Sequence, residues 1–383
     1  MEFRLTPAQE AFREEVRQFI REHWRSAEAA DTEPEGSWPR VRAFTRKLAG
    51  RGWLTLAWPE EYGGRAAGHL TQLVYNEEMA YHGAPATTQG VDRVGPTIIL
   101  HGSEEQKRRF LPLIASDDIV WCQAFSEPEA GSDLASLRTR AVQDGDDFVI
   151  DGQKIWTSYA HHADWCILLA RTDPEAPKHR GISYFLVDMR SPGITVRPLR
   201  NLAGGHTFNA VFFDKVRVPR ENLVGELNRG WYVATTTLDF ERSGIRMVMP
   251  AVRAVDELAD VARVLRDRIP RWVPLRLAEL KIEVEIARLL SYRVAWLQSR
   301  GCVPNYEASI AKLFGTELQQ RVANTAVHLL HAAGQYEPSA RFHTVARRME
   351  SYYLHAVALT IAAGTSEVQR SIIAIRGLGL PRA

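Results

Sequence analysis

The hydrophobic pattern changes period twice, and these two changes limit the folds open to this chain. Up to about residue 118 the apolar residues recur at helical spacing; Phe12, Val16, Phe19 and Ile20, for example, fall on one face. Thr6-Pro7-Ala8-Gln9 reads as a helix start. Thr6 can cap it, Pro7 suits the first turn, and Gln9 can complete a capping box. Residues 38–50 and 70–81 predict two further amphipathic helices, with Gly63-Gly64 as a loop between them. Residues 96–117 predict two helices broken at Gly102-Ser103. After Asp118 short runs rich in Val, Ile, Phe and Trp alternate with turn signals. Residues 148–150 lead into Asp151-Gly152, a pair that predicts a hairpin turn. Residues 165–170, 183–188, 194–196 and 210–213 predict more strands, punctuated by Pro192-Gly193 and Gly204-Gly205.

From Gly230 the helical period returns. Four long segments, near 230–268, 273–300, 304–332 and 339–363, are joined by short loops and predict an antiparallel bundle. Pro250 should kink the first of them. The expected fold is α+β and multidomain: an N-terminal α-helical domain over 1–118, a middle β-barrel or sandwich over 119–227, and a C-terminal four-helix bundle over 228–383.

At 45% hydrophobic residues the chain can bury a large core, and 48 basic against 46 acidic residues leave a formal net charge of +2. That balance offers nothing to nucleic acid or an anionic membrane. No apolar run reaches the roughly 18 residues of a membrane span. The N-terminus is acidic and lacks a signal-like apolar stretch. The three cysteines, Cys122, Cys166 and Cys302, form no disulfide or metal spacing, which suits a reducing compartment; the expected location is cytoplasmic. His161, His162 and Asp164 have no further ligand at usable spacing and read as a loop, so no metal site is expected.

The chemistry concentrates in residues 121–140. A strand-like opening with Trp121, Cys122 and Phe125 breaks into the low-bulk turn Pro128-Glu129-Ala130-Gly131-Ser132-Asp133. Gly131 can take positive φ and lets backbone approach a ligand. Ser126, Ser132 and neighbouring backbone N–H groups can donate to a polar heterocycle or a phosphate. Further on, Lys154-Ile155-Trp156-Thr157-Ser158 sets an aromatic plane beside two hydroxyls, a combination suited to a flat conjugated ligand. Taken alone, these residues also suit a plain turn between two strands.

Phe125-Ser126-Glu127-Pro128, then Gly131-Ser132-Asp133, then Trp156-Thr157-Ser158 resemble the flavin-binding core of the acyl-CoA dehydrogenase family. Gly364-Thr365-Ser366-Glu367-Val368-Gln369-Arg370 and Leu378-Gly379-Leu380-Pro381-Arg382 are similar to that family's terminal motif. The resemblance covers nearly the whole chain. It implies FAD as cofactor, held by Phe125, Ser126, Gly131, Ser132, Trp156, Thr157 and Ser158, with Gly364, Thr365 and Glu367 at its ribose and phosphates. It also implies an acyl-CoA substrate oxidised to a 2-enoyl-CoA, an electron-transfer flavoprotein as acceptor, and a homotetramer, with a dimer as the alternative.

Three places depart from the family pattern. Ala363, preceded by Ala362, stands where the family often carries its catalytic glutamate. The family's second location for that base corresponds to Glu241 in Leu238-Asp239-Phe240-Glu241-Arg242. Ala234, Leu238, Glu241, Ile245, Val248 and Val252 step along one helical face, on which Glu241 is the lone charge. Burial in such a stripe raises a carboxyl pKa toward the range useful to a base. The plainer reading pairs Glu241 with Arg242 or Arg246. By resemblance Asp239, Arg242 and Ser132 lie where the CoA thioester passes. Arg271 is the substitute for the family's pyrophosphate-gripping arginine, and the loop at Leu330-His331-Ala332-Ala333-Gly334-Gln335 has fewer glycines than the family's adenine-side loop. Two competing functions follow from the same residues. One is a catalytically silent partner subunit of a hetero-oligomer, suggested by Ala363; the other is a flavin oxidase or monooxygenase.

Overall fold

A computed structural model describes residues 4–24, 34–239, 244–265, 269–334 and 340–381. These fall into two compact units. The first gathers the described residues of 4–24, 68–86 and 244–381; the second gathers 34–67 and 87–239.

In the first unit α1 (Pro7–His23) starts as its sequence predicts. Thr6 Oγ1 accepts from Gln9 N, and Gln9 Oε1 accepts from Thr6 N, closing the capping box. The helix buries Val16, Phe19 and Ile20 and packs on α3 (His69–Tyr81). α3 in turn packs on α7 (Ile245–Val264) and α8 (Trp272–Ser299). With α9 (Tyr306–Gly334) and α10 (Ala340–Leu359) these last two make the expected bundle of four long helices. Its core is Leu73, Val248, Val252, Leu258, Leu280, Val284, Leu318 and Val322. The short α11 (Ser366–Ile372) and a π-turn over Ile373–Gly377 lie against α9.

α8 is apolar on two sides. Val273, Leu277, Leu280, Val284 and Ala287 face the bundle, whereas Leu275, Ile282, Ile286 and Leu289 are 71, 63, 41 and 45% exposed within this single chain. A helix that is hydrophobic all round is normally covered on both faces.

The second unit holds α2 (Pro34–Gly50), α4 (Gly95–His101), α5 (Glu104–Ala115), α6 (Gly230–Asp239) and an eight-stranded sheet. Ser103 and Gln106 form a second capping box, so the predicted break at Gly102-Ser103 is a helix start. The strands are β1 (Trp121–Ala124), β2 (Arg140–Asp144), β3 (Asp147–Lys154), β4 (Trp165–Arg171), β5 (Ile182–Asp188), β6 (Ile194–Leu199), β7 (Phe208–Pro219) and β8 (Leu223–Val224). They run in the order β6-β7-β3-β2-β4-β5-β8, with β1 paired parallel to β4. Phe148, Ile150, Leu168, Phe185, Val187, Val211 and Phe213 make the sheet's core.

Two expectations change here. Asp151-Gly152 is not a turn. β3 runs straight through it, with a register shift against β7 between Ile150 and Gly152, and the hairpin turn falls between Asp144 and Asp147. Gly152 is needed for close approach: a Cβ there would sit 2.5 Å from Thr139 Oγ1. The segment 230–268 is not one helix kinked at Pro250. α6 ends at Asp239, and α7 begins after Gly244, which takes φ 71°, with Pro250 inside the new helix. Ala234, Ile245, Val248 and Val252 are buried as predicted, but they belong to two helices rather than one face.

Candidate functional site

β3 delivers Trp156 in a left-handed conformation, φ 60°. That costs a non-glycine residue roughly 1–2 kcal/mol and persists where the surroundings impose it. Here they do. Ile155 N donates to Ser126 O at 2.9 Å, while Thr157 and Asn209 exchange backbone hydrogen bonds of 3.0 and 3.1 Å. Asn209 Nδ2 adds a bond to Thr157 O at 3.1 Å. The indole is left 59% exposed, meeting Phe208 edge-on at 5.9 Å. Thr157 points the other way. It is fully buried, and its Oγ1 has no hydrogen-bond partner among the described residues. Ser158 is half-buried, and its carbonyl accepts from Gln89 Nε2 at 3.3 Å.

The bond from Ile155 to Ser126 brings the two predicted motifs together. Phe125 is buried, edge-on to Tyr184 at 5.9 Å, so its side chain belongs to the core. Beyond it Glu127 and Ala130 exchange backbone bonds of 3.1 Å, which turns the chain out to Gly131 and Ser132, both exposed. Gly131 is not in the left-handed region, and a Cβ on it would meet nothing within 4 Å. Packing among the described residues therefore gives no reason for glycine there. Asp133 is turned aside, accepting from Lys178 Nζ at 2.8 Å and Ser136 Oγ at 2.5 Å.

Sequence reasoning singled out neither Glu127 nor Lys154. Glu127 is 7% exposed and accepts from Arg138 N at 2.6 Å, Thr139 N at 2.8 Å and Lys154 Nζ at 2.8 Å. Lys154 is fully buried and also donates to Phe125 O at 2.9 Å. Burial pushes the Lys154 ammonium down to about 8 against the pull of Glu127. Burial pushes Glu127 up, but Lys154, Thr139 and the Arg138 amide outweigh it and hold the carboxyl below its usual range. The pair is therefore ionised at neutral pH. Strand parity held the missed signal, because Phe148, Ile150 and Lys154 are all even-numbered and all buried.

In the first unit Thr365 caps α11, its Oγ1 accepting from Val368 N at 3.2 Å, and Glu367 is exposed in the first turn. Lys312 Nζ donates to Leu359 O at 3.1 Å and Gly364 O at 2.7 Å, pinning the loop before the motif. A groove of about 740 Å³ opens beside it, lined by Arg321, Tyr353, Thr360, Thr365, Glu367 and Arg370 among others. Ala363, exposed, takes φ 53°, and Gly364 takes φ 86°. Arg271 is exposed at the start of α8. Glu241 and Arg242 lie outside the described residues, as does the side chain of Asp239.

Among the described residues no group of three or more His, Cys, Asp or Glu is placed to hold a metal ion. His161 instead stacks on His206 at 4.2 Å, and His162 on Trp38 at 4.4 Å. No helix among the described residues is long and apolar enough to cross a membrane.

Comparison with known proteins finds the same pattern of helical, β-sheet and helical domains. Residues 6–118, 122–216 and 228–378 match the N-terminal, middle and C-terminal domains of acyl-CoA dehydrogenase. The chain belongs to the acyl-CoA dehydrogenase family, whose members are FAD-dependent flavoprotein oxidoreductases.

Among its relatives is acyl-CoA dehydrogenase FadE26 of Mycobacterium tuberculosis, 38% identical over 399 residues and the full length of both chains. The solved Tcur3481-Tcur3483 steroid ACAD is 36% identical with a TM-score of 0.90, covering 100% of both chains. The ChsE4-ChsE5 complex from Mycobacterium tuberculosis is 37% identical with a TM-score of 0.88, again covering 100% of both.

Proposed function

We propose that the chain catalyses FAD-dependent α,β-dehydrogenation of a bulky acyl-CoA thioester, with Glu241 as the base that removes the α-proton and an electron-transfer flavoprotein as acceptor. The observation that carries this reading is the exposed Trp156 indole, held in a strained backbone beside Ser126 and Ser158. An exposed aromatic plane over hydroxyl donors, with the orphaned buried Thr157 Oγ1 behind it, fits a flat heterocycle. Bound FAD supplies the hydride acceptor. Trp156 and Ser158 would orient it, and the Ser126 and Ser132 hydroxyls with the Gly131 backbone would meet its phosphates. Thr365, Glu367 and Gly364, with Arg271, serve its other end.

Ala363 supports Glu241, because an alanine cannot take a proton where the family commonly keeps its carboxylate. Asp239, Arg242 and Ser132 are the residues we assign to the CoA thioester. The small Ala362-Ala363 pair leaves room for a branched or ring-bearing acyl group, and a steroid acyl-CoA is the substrate class that the Tcur3481-Tcur3483 neighbour suggests. The domains we propose are 1–118, 119–227 and 228–383.

The apolar outer face of α8 supports an assembled enzyme. A homotetramer satisfies it. So does pairing with a second, different chain, which the Tcur3481-Tcur3483 and ChsE4-ChsE5 neighbours favour.

Anaerobic mixing of purified protein with steroid and straight-chain acyl-CoA thioesters tests the reading. Bleaching of a yellow protein by the bulky substrate is expected, and Glu241→Gln should slow it by about 10²–10⁴-fold without loss of flavin. A colourless protein points to a silent subunit, and rapid reoxidation by air points to an oxidase. A Glu241→Gln variant that bleaches as fast as its parent removes Glu241 from the mechanism.

A further inference from the structure

We propose that Glu127 and Lys154 are positioning residues for cofactor binding: their buried ion pair ties the two ends of the 125–139 loop together and so presents its exposed middle to FAD. The proposal rests on the FAD reading above. Three features carry it.

The first is reach. Lys154 holds Phe125 O, where the loop leaves β1, and Glu127 holds the amides of Arg138 and Thr139, where it returns toward β2. One pair thus touches both ends of a single loop. Between those ends Pro128, Glu129, Gly131, Ser132 and Asp133 are all exposed. The second feature is continuity. Lys154 ends β3, two residues before Trp156, so the loop and the aromatic plane are set by one side chain. Arg171 supports the same loop, with Nη2 donating to Ala135 O at 2.5 Å, and its Nη1 donates to Lys178 O, in the β4–β5 connection, at 3.0 Å.

The third feature is cost. A buried ion pair is weak evidence for stability, since apolar residues of similar volume often hold a core as well or better. Stability alone is thus a poor reason to keep a fully buried lysine in a sheet core. The groups that act on its ammonium are Glu127 from the loop and Cys166 and Arg171 from β4. Of the two basic groups here, Lys154 meets the carboxylate and Arg171 meets loop carbonyls.

The test uses full-length protein stripped of flavin and titrated with FAD, for the parent, Lys154→Met/Glu127→Gln, Glu127→Gln, Glu127→Leu and, as control, Lys178→Ala, which removes the exposed Asp133 pair. The double variant should keep the melting temperature of the flavin-free parent yet bind FAD about 10–100-fold more weakly, the range typical when residues one layer behind a ligand are removed. Its Arg138 and Thr139 amides should exchange hydrogen faster before any flavin is added. Glu127→Gln, which keeps an acceptor oxygen, should retain more affinity than Glu127→Leu, and Lys178→Ala should match the parent. Unchanged FAD affinity and unchanged exchange in the double variant overturn the proposal. So does a loss of affinity that only tracks a lower melting temperature. A parent that takes up no FAD overturns the cofactor reading itself, and is recognised because it fails before any substitution is made.

Discussion

Tyr292 Oη donates to Glu77 Oε2 over 2.6 Å, joining α8 to α3. Glu77 is 3% exposed and collects three more donors: Arg288 Nη2 at 2.7 Å, Arg288 Nε at 3.0 Å and Arg13 Nη2 at 3.1 Å. Next to it Glu78 takes Arg17 bidentately at 2.8 and 2.9 Å. Two consecutive carboxylates on α3 thus bind α1, and Glu77 also binds α8.

Removing Glu77 takes away the acceptor that Tyr292, Arg288 and Arg13 share. Glu77→Leu leaves Arg288 with Glu285 at 2.8 Å as its remaining carboxylate and should cost about 1.5–3 kcal/mol. Tyr292→Phe loses one hydrogen bond to a charged group and should cost about 1.5–3 kcal/mol. Urea unfolding at neutral pH measures both. A Glu77→Leu midpoint equal to the parent's would show that the network contributes specificity and no stability.

Alkaline pH should reveal two opposed windows. Burial, with Glu77 beside it, pushes Tyr292 up to about 12, and burial with Asp256 does the same to Tyr81. Their folded pKa values exceed the unfolded value of 10.0, so the stability they add is complete below pH 10 and is lost as pH rises toward 12. Lys154 is depressed by burial to about 8 from 10.5, so the unfolded chain holds the extra proton between those values. Its contribution therefore rises with pH across that window. Stability against pH for Lys154→Met should lack the rise, and for Tyr292→Phe the later fall should shrink.

Thr157→Val tests the orphaned hydroxyl. Valine keeps the shape and removes an oxygen that no described residue satisfies, so the flavin-free protein should gain up to about 1 kcal/mol. Flavin affinity measured on the same variant reads the other side. A drop would assign the hydroxyl to the cofactor, while no change would restrict the contribution of Thr157 to its backbone.

Ala363→Gly should stabilise the flavin-free chain by about 0.5–1 kcal/mol, because alanine at φ 53° carries a left-handed penalty that slightly exceeds glycine's entropic cost. Ala363→Glu in a Glu241→Gln background should recover part of the flavin reduction rate. Stopped-flow traces with no recovery would mean that position 363 does not reach the α-carbon in this chain.

What was legible in the sequence was local. The Thr6 capping box, the break at Gly102-Ser103 and the long bundle helices depend on neighbours within a turn or two. Gly152 was misread because its reason is Thr139, thirteen positions earlier and just before β2. The interruption before α7 was missed because a continuous apolar spacing says nothing of Gly244 turning left-handed. In the site the hydroxyls and the indole announced themselves by type. Lys154 and Glu127 did not, since a lysine in a strand is taken as solvated until its partners across the loop are known.

The outer face of α8 has a consequence for anyone handling the protein. Leu275, Ile282, Ile286 and Leu289 are as apolar as the residues on the opposite side of the helix, yet in one chain they meet water. In the assembly proposed above, the chain that covers them binds the folded state and not the unfolded one, so its concentration enters the free energy of folding as directly as temperature does. Dilution should then act as a mild denaturant, and a melting temperature quoted without a protein concentration would describe no fixed property of this chain.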